Sequence, residues 1–266
     1  MRRKALSVIM LIALVGPIGM AAQESGKENW RLAPAFGHVQ KGDLKALKED
    51  IASGVNPNSI GPDGSTLLME AVVWKRKDIA EFLIQAGANV GAEENAGIVG
   101  YACFNNDLEM VKILVEAGGI VQTKDMKSRS RAMLCPLLES VVNSNFEMMQ
   151  YLLSHGANPN DAGIVGTTAL HMAAAKGNVQ MLSLLLSKGA EINIRDNYGQ
   201  TPLMYACREG EAEAVEFLLD HGADADLEDG YGRKASHMVP HSEGNEEIRI
   251  LCTGKRKKEA SVSPSP

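Results

Sequence analysis

Six histidines and four cysteines are the side chains here best suited to bind metal, move protons or attack an electrophile at neutral pH. Their spacing does not assemble a reaction centre. Cys103, Cys135, Cys207 and Cys252 lie far apart and form no CxxC pair, so zinc-ribbon and zinc-finger geometry is absent. No HExxH, GxSxG, Walker loop or dinucleotide fingerprint occurs. His237 and His241 are four apart and could share a helix face, but Pro240 between them and the lack of a matched carboxylate argue against a metal pair. Acidic neighbours such as Glu93-Glu94 and Glu246-Glu247 read as solvated faces. No catalytic residue, metal ligand or cofactor is assigned.

The elements that must position these groups follow from composition and period. The chain has 266 residues, 45% hydrophobic and 5% aromatic, with 27 basic against 33 acidic side chains and a net charge of −6. That is too apolar for a disordered chain, and the 26 glycines follow no three-residue period, which excludes collagen. Met1 to Ala22 opens with Arg2, Arg3 and Lys4, runs apolar from Ala5 to Val15, and reaches the small residues Gly19 and Ala21. This is the pattern of a cleaved secretory signal. An uncleaved membrane anchor is the rival, although a span needs about 20 apolar residues. Gly254 to Pro266 (GKRKKEASVSPSP) has no apolar period and reads as a disordered basic tail. Each of these termini carries a net +3, which leaves the body, residues 22–253, at −12. An acidic body argues against nucleic acid as the partner.

The body repeats itself. Glycines close the runs LKEDIASGVNPN, FLIQAGANV, ILVEAGG, YLLSHGANPN, LLLSKGAEIN and FLLDHGADAD at Gly54, Gly87, Gly118, Gly156, Gly189 and Gly222, spaced 33, 31, 38, 33 and 33. Gly64, Gly166, Gly199 and Gly232 open the following units. Each unit predicts two short helices. The first starts at Thr-Pro or a relative, as in Thr201-Pro202-Leu203, where the hydroxyl caps free amides and proline suits the first helical position. The second carries apolar residues at helical spacing, as in Val179, Leu182, Leu185 and Leu186, and stops at the glycine. Helices this short are marginal alone, so neighbouring units must cover their apolar faces.

Gly166-Thr-Thr-Ala-Leu-His171-Met-Ala-Ala and Gly199-Gln-Thr-Pro-Leu-Met204-Tyr-Ala, with Gly64-Ser-Thr-Leu-Leu-Met-Glu-Ala71, resemble the ankyrin repeat, G-x-T-P-L-H-x-A-A-x-x-G. A tetratricopeptide array would lack the Gly-Ala-Asn turn between units. The resemblance implies an all-α ankyrin-repeat solenoid of about seven helix-turn-helix units, spanning 29–60, 61–93, 94–126, 131–163, 164–196, 197–229 and 230–253, with atypical ends serving as caps. Unit three reads Asn95-Ala-Gly-Ile-Val-Gly100 at its helix start, so its first helix is expected to be the loosest. Unit four replaces Thr-Pro-Leu by Cys135-Pro136-Leu137 and forfeits a cap. His171 and His237 fall where the family uses imidazole to bond adjacent loops. His155 and His221 precede turn glycines.

Cys103 and Cys207 align with Ala174, an inward position, where a thiol is a small inert apolar group. Units rise by about 10 Å each, the spacing of packed helices. Cys103 and Cys207, three units apart, therefore cannot meet the roughly 5.5 Å Cα separation of a disulfide. Cys135 and Cys252 are read as further apart still.

What remains is a surface. Resemblance implies that loop tips and the exposed side of the first helices bind a protein partner. Candidate contacts are Trp74, Phe104, Ile164, Val165, Tyr198, Arg208, Tyr231 and Arg233, because aromatic and arginine anchors dominate binding energy. A second candidate is the longer connection Thr123 to Arg131, with Lys124, Lys127, Arg129 and Arg131 steering an acidic partner; a tolerated insertion is the alternative. The expectation is a monomeric, periplasmic or secreted, non-catalytic binding protein without nucleic acid, touching membrane only if the signal is kept as an inner-membrane anchor. A membrane-tethered scaffold and a thiol-dependent redox-protective factor are the alternatives.

Overall fold

The computed structural model describes residues 33–92, 95, 97–122, 134–241 and 245–253. The signal-like segment 1–22, the basic insertion 123–131 with Lys124, Lys127, Arg129 and Arg131, the tail from 254 and the tip residues Glu93, Glu94 and Ala96 lie outside them. The described chain divides into two compact units, one running to Ile120, the other comprising Val121, Gln122 and the residues from Leu134 onward.

The first unit holds three helical hairpins: α1 (Ala33–Lys41) with α2 (Leu44–Ala52), α3 (Leu67–Val73) with α4 (Lys77–Gln85), and α5 (Ile98–Phe104) with α6 (Leu108–Glu116). The second holds four: α7 (Pro136–Val142) with α8 (Phe146–Ser154), α9 (Ala169–Ala175) with α10 (Val179–Ser187), α11 (Pro202–Glu209) with α12 (Ala212–Asp220), and α13 (Ala235–Met238) with α14 (Glu246–Cys252). Within each unit, first helices pack on first helices, as α1, α3 and α5 do in one and α7, α9, α11 and α13 in the other. Second helices form another layer, α10 against α12 and α12 against α14. Among the described residues the regular structure is all helical; isolated bridges Ile60 to Thr66 and Ala162 to Thr168 close the bases of two loops.

Local chemistry sets these boundaries. Thr66 and Thr201 accept the amides of Met69 and Met204 through their hydroxyls, while Asp43, Asp107, Asn145 and Asn178 cap second helices the same way. The stop glycines 54, 87, 118, 156, 189 and 222 all have positive φ, from 87° to 101°, the left-handed geometry that ends a helix. Between the turns, side-chain amides act as rungs. Asn58 donates to Gly87 O at 3.0 Å and accepts from Asn89 N at 2.8 Å; Asn160 repeats this with Gly189 O at 3.1 Å and Glu191 N at 2.8 Å. The cores are rows of equivalent residues: the seventh residue of the second helix in five successive hairpins, Leu83, Leu114, Leu152, Leu185 and Leu218, is fully buried. Each contributes about 1.5–3 kcal/mol relative to exposure, which is how helices of seven to nine residues persist.

Three details refine the sequence reading. Unit three's first helix is as long as its equivalents: α5 starts uncapped at Gly97 (φ 83°) but buries Ile98, Val99, Gly100, Ala102 and Cys103. Buried Asn95 ties the preceding loop, accepting from Thr66 Oγ1 at 2.5 Å and donating to Asn89 O at 2.7 Å. The face that α10 buries most deeply is Met181, Leu182 and Leu185, with Val179 and Leu186 half-buried. His237 and His241 share no helix face, because α13 ends at Met238.

Candidate functional site

The second unit's loop tips are built on buried aspartates. Asp196 Oδ1 accepts the amides of Tyr198 (2.9 Å) and Gln200 (2.8 Å); Asp229 Oδ1 accepts those of Tyr231 and Arg233 (both 2.9 Å). Each carboxylate thus folds its loop by making the turn's amides converge. Adjacent loops are then joined through the main chain: Asn197 N donates to Val165 O at 3.1 Å and Gly230 N to Tyr198 O at 2.8 Å. Gly199 (φ 74°) permits that approach, since a Cβ there would lie 2.9 Å from Gly230 N. The tips at 164–165, 197–198 and 230–231 are one hydrogen-bonded ribbon.

Beneath the ribbon lies a polar network. Thr168 N donates to His171 Nδ1 at 3.2 Å, so the ring proton sits on Nε2 and is given to Gln200 O at 3.0 Å, in the next loop. Burial holds His171 below the ordinary imidazole range and hence neutral. Tyr205 Oη donates to Asp196 Oδ2 at 2.8 Å, and the His171 ring meets the Tyr205 ring edge-on with centroids 5.0 Å apart. Arg208 lies over the Tyr205 ring, 4.3 Å from its centroid, and gives Nη1 to Gln200 Oε1 at 3.0 Å. Arg233 grips Asp229 and lies 4.9 Å from the Tyr231 centroid. Burial pushes the Asp229 carboxyl up, yet the bonds from Arg233, the two amides and Gln200 outweigh it and hold it well below the carboxylate range. This arrangement presents charge and aromatic surface at the loop tips.

Among the candidate contacts in this unit, Tyr231 is 73% exposed, Ile164 69% and Tyr198 51%. Val165 is half-buried and takes part through its carbonyl. Arg208 is half-buried and Arg233 exposed. In the first unit, Trp74 and Phe104 are each about half exposed at the ends of α3 and α5. The Trp74 indole N–H donates to Glu70 Oε2 at 3.0 Å, which fixes the ring against its own helix. His155 and His221 stack on Tyr151 and Phe217 and donate Nδ1–H to those residues' carbonyls at 2.8 Å, satisfying helix C-termini.

All four cysteines are buried thiols. Cys135 gives its proton to Asp161 O at 3.8 Å, and burial pushes its thiol up to about 12. Spacing arguments compared only Cys103 with Cys207 and Cys135 with Cys252, set both couples too far apart to bridge, and so missed the pair that does meet: Cys207 Sγ lies 2.7 Å from Cys252 Sγ. The signal was present. Cys252 is the seventh residue of α14, the place held by buried Leu185 in α10 and Leu218 in α12, and so falls on the inward row. Among the described residues no group of three or more His, Cys, Asp or Glu could hold a metal ion, and no helix is long and apolar enough to cross a membrane.

Stacked helical hairpins, turn glycines in left-handed geometry and loops laced by buried aspartates define a helical repeat protein. A family model described as ankyrin repeats (3 copies) matches residues 35–125 and again 137–229. The chain belongs to the ankyrin-repeat family. It is 28% identical over 175 residues to the ankyrin repeat protein YahD of Escherichia coli, covering 52% of this chain and 87% of that one. It is 26% identical over 133 residues to the mouse B-cell lymphoma 3 protein homolog, covering 48% of this chain and 29% of the relative. With human BCL-6 corepressor-like protein 1 it shares 32% over 124 residues, 46% of this chain and only 6% of the relative. The ankyrin repeat domain of human ASB11 superposes with a TM-score of 0.67 at 26% identity, covering 82% of this chain and 97% of that domain. Such repeats are in general non-catalytic modules for protein–protein interaction.

Proposed function

We propose that this chain is an exported, monomeric, non-catalytic binding protein whose protein partner docks on the loop ribbon of the second unit. The observation that carries the reading is the ribbon itself: Ile164, Tyr198 and Tyr231 are held outward on loops bonded to one another, so apolar surface is displayed without freedom to collapse. Preformed loops leave little ordering cost at docking. Arg208 and Arg233, fixed over Tyr205 and Tyr231, add cationic anchors, and the first unit displays a separate apolar pair in Trp74 and Phe104.

Export rests on Arg2, Arg3 and Lys4 before the apolar run Ala5 to Val15. Mass spectrometry of the mature N-terminus checks it: a start near Ala22 or Gln23 supports cleavage, whereas retention of Met1 or Arg2 supports an anchored scaffold. Docking is checked by pull-down from the exported fraction, comparing the mature chain with a Trp74→Ala, Tyr198→Ala, Tyr231→Ala variant of unchanged helicity. Proteins recovered by the first bait should be depleted at least tenfold with the second. Equal recovery would place the partner elsewhere.

A further inference from the structure

We propose that Cys207 and Cys252 form a disulfide that locks the C-terminal hairpin to the repeat before it. The two sulfurs are 2.7 Å apart although 45 residues separate them in sequence, closer than thiols rest without bonding. Both lie in one compact unit, Cys207 on α11 and Cys252 in the last turn of α14. The hairpin they join is the weakest element described. Helix α13 has four residues; α14 has seven, lacks a side-chain cap at Asn245, and buries only Ile248 and Cys252. Among the described residues this hairpin packs on the repeat before it, through α11 and α12, so a covalent tie acts where packing is thinnest. Closing a loop of this length restricts the unfolded chain substantially.

The pair is set up for exchange with a disulfide donor such as glutathione disulfide. The two thiols share one hydrogen bond, which holds Cys252 below the ordinary thiol range and, with burial, pushes Cys207 up. Cys252 therefore yields its proton first. Its thiolate attacks one donor sulfur, forming a mixed disulfide and releasing one glutathione thiolate, which takes up that proton. Cys207 then loses its proton and attacks Cys252 Sγ, expelling the second glutathione as a thiol. Two protein thiols are oxidised by two electrons and one donor disulfide is reduced to two thiols. Cys252 gains access to the donor when the lightly held α14 lifts, a local opening expected of a terminal hairpin.

The geometry does not depend on export, so the test uses the purified full chain in a glutathione buffer poised oxidising, with enough urea to open the terminal hairpin and then diluted away. Alkylation under denaturing conditions should count two thiols instead of four. A non-reducing peptide map should join the peptides of Cys207 and Cys252, and the thermal midpoint should rise by several degrees. The Cys252→Ser variant should keep three thiols and show no shift; the Cys103→Ala, Cys135→Ala variant should lose both remaining thiols on oxidation. Four thiols surviving in the wild-type chain, or a bridge using Cys103 or Cys135, overturns the proposal without reference to any variant's folding.

Discussion

Arg233 closes on Asp229 through two nitrogens, Nε at 3.0 Å and Nη2 at 2.7 Å, while the other oxygen of the same carboxylate gathers the amides of Tyr231 and Arg233. One covered side chain thus shapes a loop and aims its two exposed residues. Asp229→Asn keeps the size and removes the charge. It should lower the thermal midpoint at pH 7 by roughly 5 °C, several charge-assisted bonds being weakened together. Because the folded carboxyl is held below its unfolded value, its contribution is complete above about pH 4 and fades as pH falls further. The acid limb of the wild-type stability profile should therefore be steeper than that of the variant.

Backbone geometry predicts opposite effects for two substitutions. Lys75, Asn106 and Ser144 adopt φ of 54° to 56° at the turn between paired helices, where Gly42, Gly177 and Gly210 stand in other repeats. Lys75→Gly relieves a left-handed side chain and should stabilise by about 0.5–1 kcal/mol in denaturant unfolding, less the exposed bond from Lys75 Nζ to Asn105 O. Gly199→Ala forces a Cβ against the Gly230 amide. It should cost about 2 kcal/mol and separate the two tyrosine-bearing loops.

Glu139 predicts a dependence on pH of the other sign. It is the fourth residue of α7, where α9 and α11 carry Met172 and Tyr205, and burial pushes its carboxyl up to about 7. The folded state then holds a proton that the unfolded chain releases near pH 4.5. Stability present below that value is lost as pH climbs to about 7, on the order of 3 kcal/mol in all. Glu139→Gln should be close to neutral at pH 5 and stabilising by that amount at pH 8. A melting profile with equal shifts at both pH values would contradict the assignment.

How much of this was legible from the sequence follows from what each feature depends on. Turn glycines, the threonine caps at Thr66 and Thr201 and the apolar spacing of the second helices are local and follow directly from the sequence period. The resemblance at Gly166 to His171 anticipated the bond from the His171 ring to the next loop, now seen at Gln200 O. The Asp196 and Asp229 loops were not anticipated, because an aspartate beside a turn has the same spelling whether it is solvated or satisfies buried amides. The Cys207 and Cys252 contact was hidden by the terminal hairpin's departure from the repeat. A shortened α13 obscures the alignment that would have placed Cys252 on the leucine row.

The docking surface is tested most directly by amide hydrogen exchange on the mature chain with and without the protein it captures. The account predicts slowed exchange in the loops at 164–167, 197–200 and 230–233, with α8, α10 and α12 unchanged. Slowing confined to those second helices, with the three loops unaffected, would contradict it.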